Sequence, residues 1–279
     1  SQAELKQIVR SAKEPARSVF GHIGTGALLA WAQEEPGGQT EGERLHLVYV
    51  LSEGEIEALE QIYLNQEPIT AAGNRASYEL VRNATAPNQF LLDNSPGWKT
   101  SQIGRGLSWV RLTLRYDPEY FAAGIPDVLF EIRGRRDIFD PRTGTTGYSD
   151  NAALVLLWYV RNRLGVPDSE ILWETFEESA NICDEVIVNP DGTSEKRYRI
   201  AGGIKDDERK DRVLMELEAA CAGNLLRIGG KFGLMVGAYY GPYELEIDED
   251  MVIGPVRGQA EVSQADAVNT MRGKFVDPA

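Results

Sequence analysis

The sequence has few histidines, few cysteines and no long apolar run. Its only imidazoles are His22 and His46, and its only thiols are Cys183 and Cys221. Two imidazoles cannot form a multi-histidine metal site, and neither has a nucleophile partner visible for Ser/His/Asp catalysis. No segment approaches the roughly 20 apolar residues of a membrane-spanning helix, and the polar start Ser1 to Lys6 lacks the apolar stretch of a signal peptide. We therefore expect a soluble protein without a metal or cofactor.

Length and composition predict a globular chain of about two domains. Of its 279 residues, 42% are hydrophobic and 9% aromatic, which is enough to bury a core. The 43 acidic residues exceed the 29 basic ones and give a net charge of -14. Such a field repels phosphate backbones and disfavours a nucleic-acid-binding role.

Residues 1–140 read as a first β-rich domain. The apolar, β-branched run Leu45 to Leu51 predicts a buried strand, and the alternation in Trp109 to Tyr116 predicts a half-buried strand with Val128 to Arg133 as its partner. The glutamate-rich stretch 52–60 predicts a polar turn or short helix. From about 68 to 106 the chain is rich in Asn, Pro, Gly and Ser, which favours a loop-rich insertion.

Residues 141–190 predict a bracket of two amphipathic helices. The first runs from about 151 to 164 with Ser149-Asp150 as its N-cap, and the second starts in the turn containing Pro167. Cys183 falls on the apolar side of this second helix, so a buried thiol is favoured over a disulfide.

Residues 191–279 predict a second β-rich domain that contains one helix. Asp191-Gly192 and Gly229-Gly230 supply the positive φ angles that hairpin turns need. The helix follows the acidic start at 206–208 and carries Cys221 on its apolar side. The weakly alternating end beyond Gly254 stops without a cap, which predicts a truncated domain.

Other candidate motifs are better explained without chemistry. The glycines in residues 21–26 have the reverse of the dinucleotide-loop spacing, so we interpret them as strand or bulge glycines. A glycosidase pair could be drawn from Glu174, Glu177 and Glu178, but helical spacing places Glu174 and Glu178 on one exposed face, which favours solvated side chains. The acidic run 248–250 lacks the other ligands of a calcium loop. The two histidines are interpreted as packed or hydrogen-bonded side chains, and the chain is predicted not to be an enzyme.

One ordered set of segments resembles the lambda-like tip attachment, or host-specificity, proteins of bacteriophages. The hallmark is residues 133–146 followed by 148–154: a strand, a charged Asp-Pro-Arg-Thr-Gly turn, an aromatic residue, a Ser-Asp-Asn sequence and an apolar helix. Further matching segments fall in the family's order at 17–21, 45–48, 54–57, 117–121, 124–126, 199–204 and 269–278. Together they cover nearly the whole chain.

The resemblance implies the hub portion of a tail-tip protein. The fold would be a strand-rich α+β fold in which amphipathic helices bridge two small β-barrel-like hub domains. Its place would be the virion tail, as a homotrimer whose domains form a ring of quasi-sixfold symmetry. Its partners would be the tail tube or distal tail proteins and the tip or fibre modules. An acidic lumen would let DNA pass without specific binding.

Two alternatives come from other classes. The first is a tail-associated cell-wall hydrolase or carbohydrate-binding module, and the second is a secreted adhesin-like β-domain. The lack of a signal segment and of a cysteine framework disfavours the adhesin.

The hallmark turn contains the residues we single out for structure or assembly. Asp140 is expected to initiate the turn as an acceptor and Arg142 to clamp the strand-to-helix junction through its several donors. Two versions remain open, in which Arg142 contacts its own chain or a neighbouring subunit. The candidate structural and assembly residues are Asp140, Pro141, Arg142, Thr143, Gly144 and Asn151.

Overall fold

The computed structural model describes residues 15–35, 43–117, 119–122 and 124–238, together with 240, 251 and 254. The acidic run 248–250 and the segment beyond Gly254 lie outside the described residues. The described part is a strand-rich α+β fold, as predicted.

Strands dominate the first half, where several of them are eight to ten residues long, and the longer helices come after residue 150. The strands are β1 (Arg17–Phe20), β2 (His22–Thr25), β3 (Leu28–Glu34), β4 (Arg44–Glu53), β5 (Ile56–Leu64), β6 (Glu67–Pro68), β7 (Ala76–Arg82), β8 (Leu107–Arg115), β9 (Val128–Arg135), β10 (Ile138–Asp140), β11 (Thr145–Gly147), β12 (Val186–Val188), β13 (Ser194–Lys196), β14 (Gly202–Lys205), β15 (Asn224–Ile228) and β16 (Lys231–Met235). The α-helices are α1 (Gln89–Asn94), α2 (Ala152–Asn162), α3 (Trp173–Cys183) and α4 (Lys210–Ala220), with 3-10 turns at Ile69–Arg75 and Asp168–Glu170.

Two antiparallel four-stranded sheets pack around the first core. Their strand orders are β3-β4-β8-β7 and β2-β9-β5-β6. Because successive side chains of a strand point to opposite faces, alternate residues of β4 and β8, such as Leu47 opposite Leu112, face this core. Phe130 and Ile132 of β9 face it from the other sheet. Within the described residues both sheets stay open at their edges, so they do not close into a barrel.

The polar stretch 52–60 is largely strand, and the prediction of a turn or short helix there is wrong. β5 buries Ile56, Ile62 and Leu64 and turns its glutamates toward solvent. A register shift between Leu59 and Gln61 in the pairing with β9 interrupts the strict alternation that would have identified a strand.

The partner predicted for β8 is also wrong. β8 pairs with β4 and β7, whereas β9 pairs with β2 and β5 in the opposite sheet. Strand β7 lies inside the stretch 68–106 that was predicted to be loop-rich. Part of that insertion is therefore the edge strand of the sheet, paired with β8.

The rest of the insertion covers the outer face of the same sheet. Asn88 caps α1 by accepting a hydrogen bond from the Leu91 N–H. Leu91 is buried against Val48 and Trp109, and Trp98 packs at the edge of this small cluster. Both faces of β4 and β8 are consequently covered.

The second core is built around α2, which is apolar on all sides. Every residue from Ala152 to Val160 is buried, as expected for a helix surrounded by other elements. Around it pack α3, α4 and the hairpin β15–β16, together with Phe20 and Ile138 from the first half of the chain. The division at residues 140 and 190 stays a prediction, but α2, α3 and α4 share one core.

The helix ends differ by a few residues from the predicted ones. α2 is capped by Asn151 rather than Ser149-Asp150, and α3 begins at Trp173 because residues 168–170 form a separate 3-10 turn. The hairpins at Gly192 and Gly229-Gly230 form as predicted, with positive φ at all three glycines.

Candidate assembly site

The hallmark turn joins β10 to β11 in a tight hairpin. The Gly144 N–H donates to the Asp140 carbonyl at 2.9 Å, and Gly144 adopts φ 68°, a conformation that glycine reaches without strain. The Asp140 carboxylate accepts the Arg142 N–H at 3.0 Å, the turn-initiating role expected of it. Pro141 is half-buried, and Thr143 is exposed with its hydroxyl 2.7 Å from that of Thr145.

Arg142 connects this turn to the end of α3. Its guanidinium donates to both carboxylate oxygens of Asp140 at 2.9 and 2.7 Å, to Asn181 at 3.1 Å, and contacts Asp184 at 2.9 Å. The hydrogen bond to Asp140 is the main reason that the pKa of Arg142 is raised, and the bond to Asp184 adds to it. Arg142 thus uses several donors at once within its own chain, while its role in assembly stays a prediction.

The charge network continues from Asp184 toward β13. Lys196 places its Nζ 2.7 Å from Asp184 and 3.8 Å from Asp150. Burial works to raise the pKa of Asp184, but the contacts with Lys196 and Arg142 outweigh it and hold the pKa below its ordinary value. Asp184 is thus an ionised bridge between two cations.

Asn151 links the first turn of α2 to the C-terminal turn of α3. Its Oδ1 accepts from the N–H groups of Ala153 and Leu154 at 3.1 and 3.3 Å, and its Nδ2 donates to the Ala180 carbonyl at 2.9 Å. The residue is 1% exposed, so these bonds replace water for each partner. Asn151 and Arg142 thus hold the same end of α3.

A second polar cluster, which the sequence did not indicate, joins the two cores. Arg135 donates to Ser18 at 3.1 Å and to the Glu53 carbonyl at 2.9 Å, while Arg163 donates to Ser18 at 3.0 Å and to the Glu53 carboxylate. Both guanidiniums lie over the Trp158 ring, 4.4 and 5.5 Å from its centroid. These residues come from β1, β4, β9 and α2, so no local pattern brings them together.

Asp137 and Asp206 complete this junction. Asp137 accepts from Arg135 at 2.8 and 2.7 Å and from the Trp158 indole at 3.2 Å. Asp206 lies 3.0 Å from Arg163. Its pKa is raised, first by burial and then by the neighbouring Glu53, although Arg163 opposes this. The junction is therefore a shared set of carboxylates and guanidiniums around one indole ring.

The histidines are hydrogen-bonded, as predicted. His22 Nε2 lies 2.9 Å from Glu131, whose other oxygen accepts from the Tyr63 hydroxyl at 3.0 Å. His46 is fully buried with Nδ1 3.0 Å from Thr113, and burial lowers its pKa. It therefore stays neutral near pH 7.

The remaining motif residues occupy the positions expected of structural rather than catalytic residues. Glu174 and Glu178 are exposed on α3, and Gly21 forms the bend between β1 and β2 with φ 65°. Cys183 and Cys221 are buried free thiols. Within the described ranges, no group of three or more His, Cys, Asp or Glu residues is arranged to hold a metal ion. Nor does the described part contain a helix that is both long and apolar enough to cross a membrane.

The chain is similar to known proteins in structure and not detectably in sequence. No family model matches the sequence, and no curated protein is significantly similar to it. Among solved structures, the chain is similar to one in the virion of a native gene transfer agent (GTA) particle, with a TM-score of 0.49 and 18% identity. The match covers 87% of this chain and 57% of that chain.

Proposed function

We propose that this chain is a structural, non-enzymatic component of a phage or prophage virion, the hub of the tail tip that joins the tail tube to the host-recognising part. The segment that most resembles tail-tip proteins, residues 133–154, supports this role. In this segment Arg142 and Asn151 both form side-chain bonds with the C-terminal turn of α3. Such bonds would let mechanical force pass between the β10–β11 hairpin and the buried helix α2.

Exposed β-ribbons provide surfaces for subunit contacts. The hairpins β12–β13 and β15–β16 are two-stranded sheets. They expose Val186, Val188, Ile228 and Met235 to between 46% and 69%. A closed ring requires heterologous contacts that repeat by rotation, and exposed ribbons with apolar side chains suit such contacts. We therefore propose a homotrimer on the tail, in contact with tube or distal tail proteins and with tip or fibre modules.

The net charge bears on the lumen of such a ring. At -14 the chain repels DNA, so acidic residues lining the ring would let DNA pass without binding it. A basic lumen in the assembled ring would contradict this part of the proposal.

Immunogold electron microscopy of particles released by the source strain tests the proposed location. We expect gold at the end of the tail where it meets the tip, and particles without tips from a deletion strain. Label that is absent from every particle, or a deletion that leaves tails intact, would refute the proposal.

An activity assay separates the hub from the hydrolase alternative. The purified chain is incubated with cell-wall preparations from the host, and released fragments are measured against an established hydrolase. We expect no release above the buffer control. Release that scales with the concentration of this protein would overturn the assignment as a structural component.

A further inference from the structure

Among the described residues, strand β2 has a partner on one edge only. It is the first strand in the order β2-β9-β5-β6, and within that part of the chain it pairs with β9 alone. The Gly134 N–H donates to the Gly21 carbonyl at 2.8 Å, which fixes the hydrogen-bonding phase of this pair of strands. Because antiparallel ladders alternate, Ile23 bonds to β9, while His22 and Gly24 direct their N–H and C=O groups away from it.

These free backbone groups border a cleft of about 850 Å³. Its lining includes His22 to Gly24 of β2 and residues 199–204. Half-buried Ile200 and Ile204 and the apolar face of α4 contribute apolar surface. A volume in the range of ligand sites, with unpaired backbone donors and acceptors along one wall, suits an added extended strand.

The described lining of the cleft includes three carboxylates, Asp150, Glu195 and Glu216, and three cations that differ in how closely they are paired. Lys196 lies 2.7 Å from Asp184, and Arg197 lies 2.8 Å from Glu185. Arg199 in contrast reaches Asp150 and Glu195 only at 4.0 and 3.9 Å, the outer limit of an ion pair. Its guanidinium can take a carboxylate from a bound partner.

We propose that this cleft binds an extended peptide segment of a partner protein by strand addition to β2. The main chain of the segment bonds to His22 and Gly24, its alternate apolar side chains cover the isoleucines, and an acidic side chain pairs with Arg199. The inference rests on the cleft alone and does not depend on the proposed tail function.

The probe is an acetylated seven-residue peptide of alternating valine and glutamate, with binding measured by isothermal titration calorimetry. The same peptide with lysine in place of glutamate tests the charge. We expect the lysine peptide to bind at least about tenfold more weakly, because it brings a cation to Arg199.

Two pairs of variants test the protein side. Gly24→Pro removes the free N–H without touching the bonds to β9, whereas Gly24→Ala keeps it and meets only the Leu129 side chain at 3.7 Å. Arg199→Gln removes the loosely paired cation, and Arg197→Gln removes one already paired with Glu185. We expect Gly24→Pro and Arg199→Gln to weaken binding about tenfold and the two controls to stay within about twofold of the parent chain.

Backbone methylation of the probe keeps the test independent of protein folding. Only alternate N–H groups of an added strand face β2, so N-methylation of one alternate set should abolish binding while the other set is tolerated. Equal affinities for the two methylated peptides, or no binding of the valine-glutamate peptide at millimolar concentration, would overturn the proposal.

Discussion

Replacing Asn151 by alanine should destabilise the fold by an amount that the structure allows us to estimate. The substitution removes the cap of α2, which typically contributes about 1 kcal/mol. It also removes the 2.9 Å hydrogen bond to the Ala180 carbonyl, which keeps its bond from the Asp184 N–H at 3.1 Å, so the further cost is that of one hydrogen bond, about 0.5 to 1.5 kcal/mol. The free energy of unfolding should therefore fall by about 1.5 to 2.5 kcal/mol.

Urea denaturation followed by circular dichroism measures this change, and Asn151→Ser provides the matched control. Serine keeps an oxygen that can cap α2 but loses the donor to Ala180, so about 1 kcal/mol of stability should return. If the alanine variant lost less than about 0.5 kcal/mol, the size of an ordinary surface effect, the buried bridge between α2 and α3 would not be stabilising.

Two further perturbations test the packing of the cores. A Cβ at Gly134 would overlap the carbonyl oxygen of Val19, so Gly134→Ala should lower the free energy of unfolding in urea by about 1 to 3 kcal/mol. Gly147 has open space around it, and Gly147→Ala should change that free energy by no more than about 0.5 kcal/mol. Equal effects of the two substitutions would show that the chain accommodates the Cβ at Gly134 without cost. Burial raises the pKa of Cys183 to about 12 and that of Cys221 to about 11. Both thiols should therefore be protonated at pH 8 and react with Ellman's reagent only after unfolding; rapid reaction of the native protein would contradict their burial.

Polar contacts rather than a long linker connect the two cores. Arg135 from β9 and Arg163 from the residue after α2 both donate to Ser18 and Glu53, and both guanidiniums lie over the ring of Trp158, a residue of the second core. Arg135 is only 8% exposed, so water cannot readily replace a partner that it loses. Removing one residue of the cluster would therefore leave buried charged groups without their hydrogen bonds. The contact between the cores thus combines this polar network with the apolar packing of Phe20 and Ile138 in the second core.

Local chemistry was sufficient for several elements. Asp191-Gly192 and Gly229-Gly230 specify hairpin turns because their glycines take positive φ angles, and both hairpins form. The apolar run after Asn151 was sufficient to predict a helix, and the cysteines on apolar helix faces were correctly predicted to be buried. Within the hallmark, the turn-initiating role of Asp140 also follows from its residue type and position.

Which strands pair was decided only by the tertiary structure. Alternation identified β8 and β9 as strands, but it carries no information about partners, and the two lie in opposite sheets. β7 was hidden in a segment of loop-like composition, since an edge strand needs only one apolar face against its neighbour. β5 was missed for a different reason, because the register shift after Leu59 interrupts its alternation of apolar and polar residues.

The sequence by itself determined the strand-rich class, the hairpin turns, the apolar central helix and the residues of the Asp140 turn, because each depends on contacts within a few residues. The tertiary structure alone decided which residues Arg142 contacts, that Arg135 and Arg163 share the partners Ser18 and Glu53, and that β2 pairs with β9. Those contacts join residues tens of positions apart, and the energy that selects them comes from burial and pairing after the chain has collapsed.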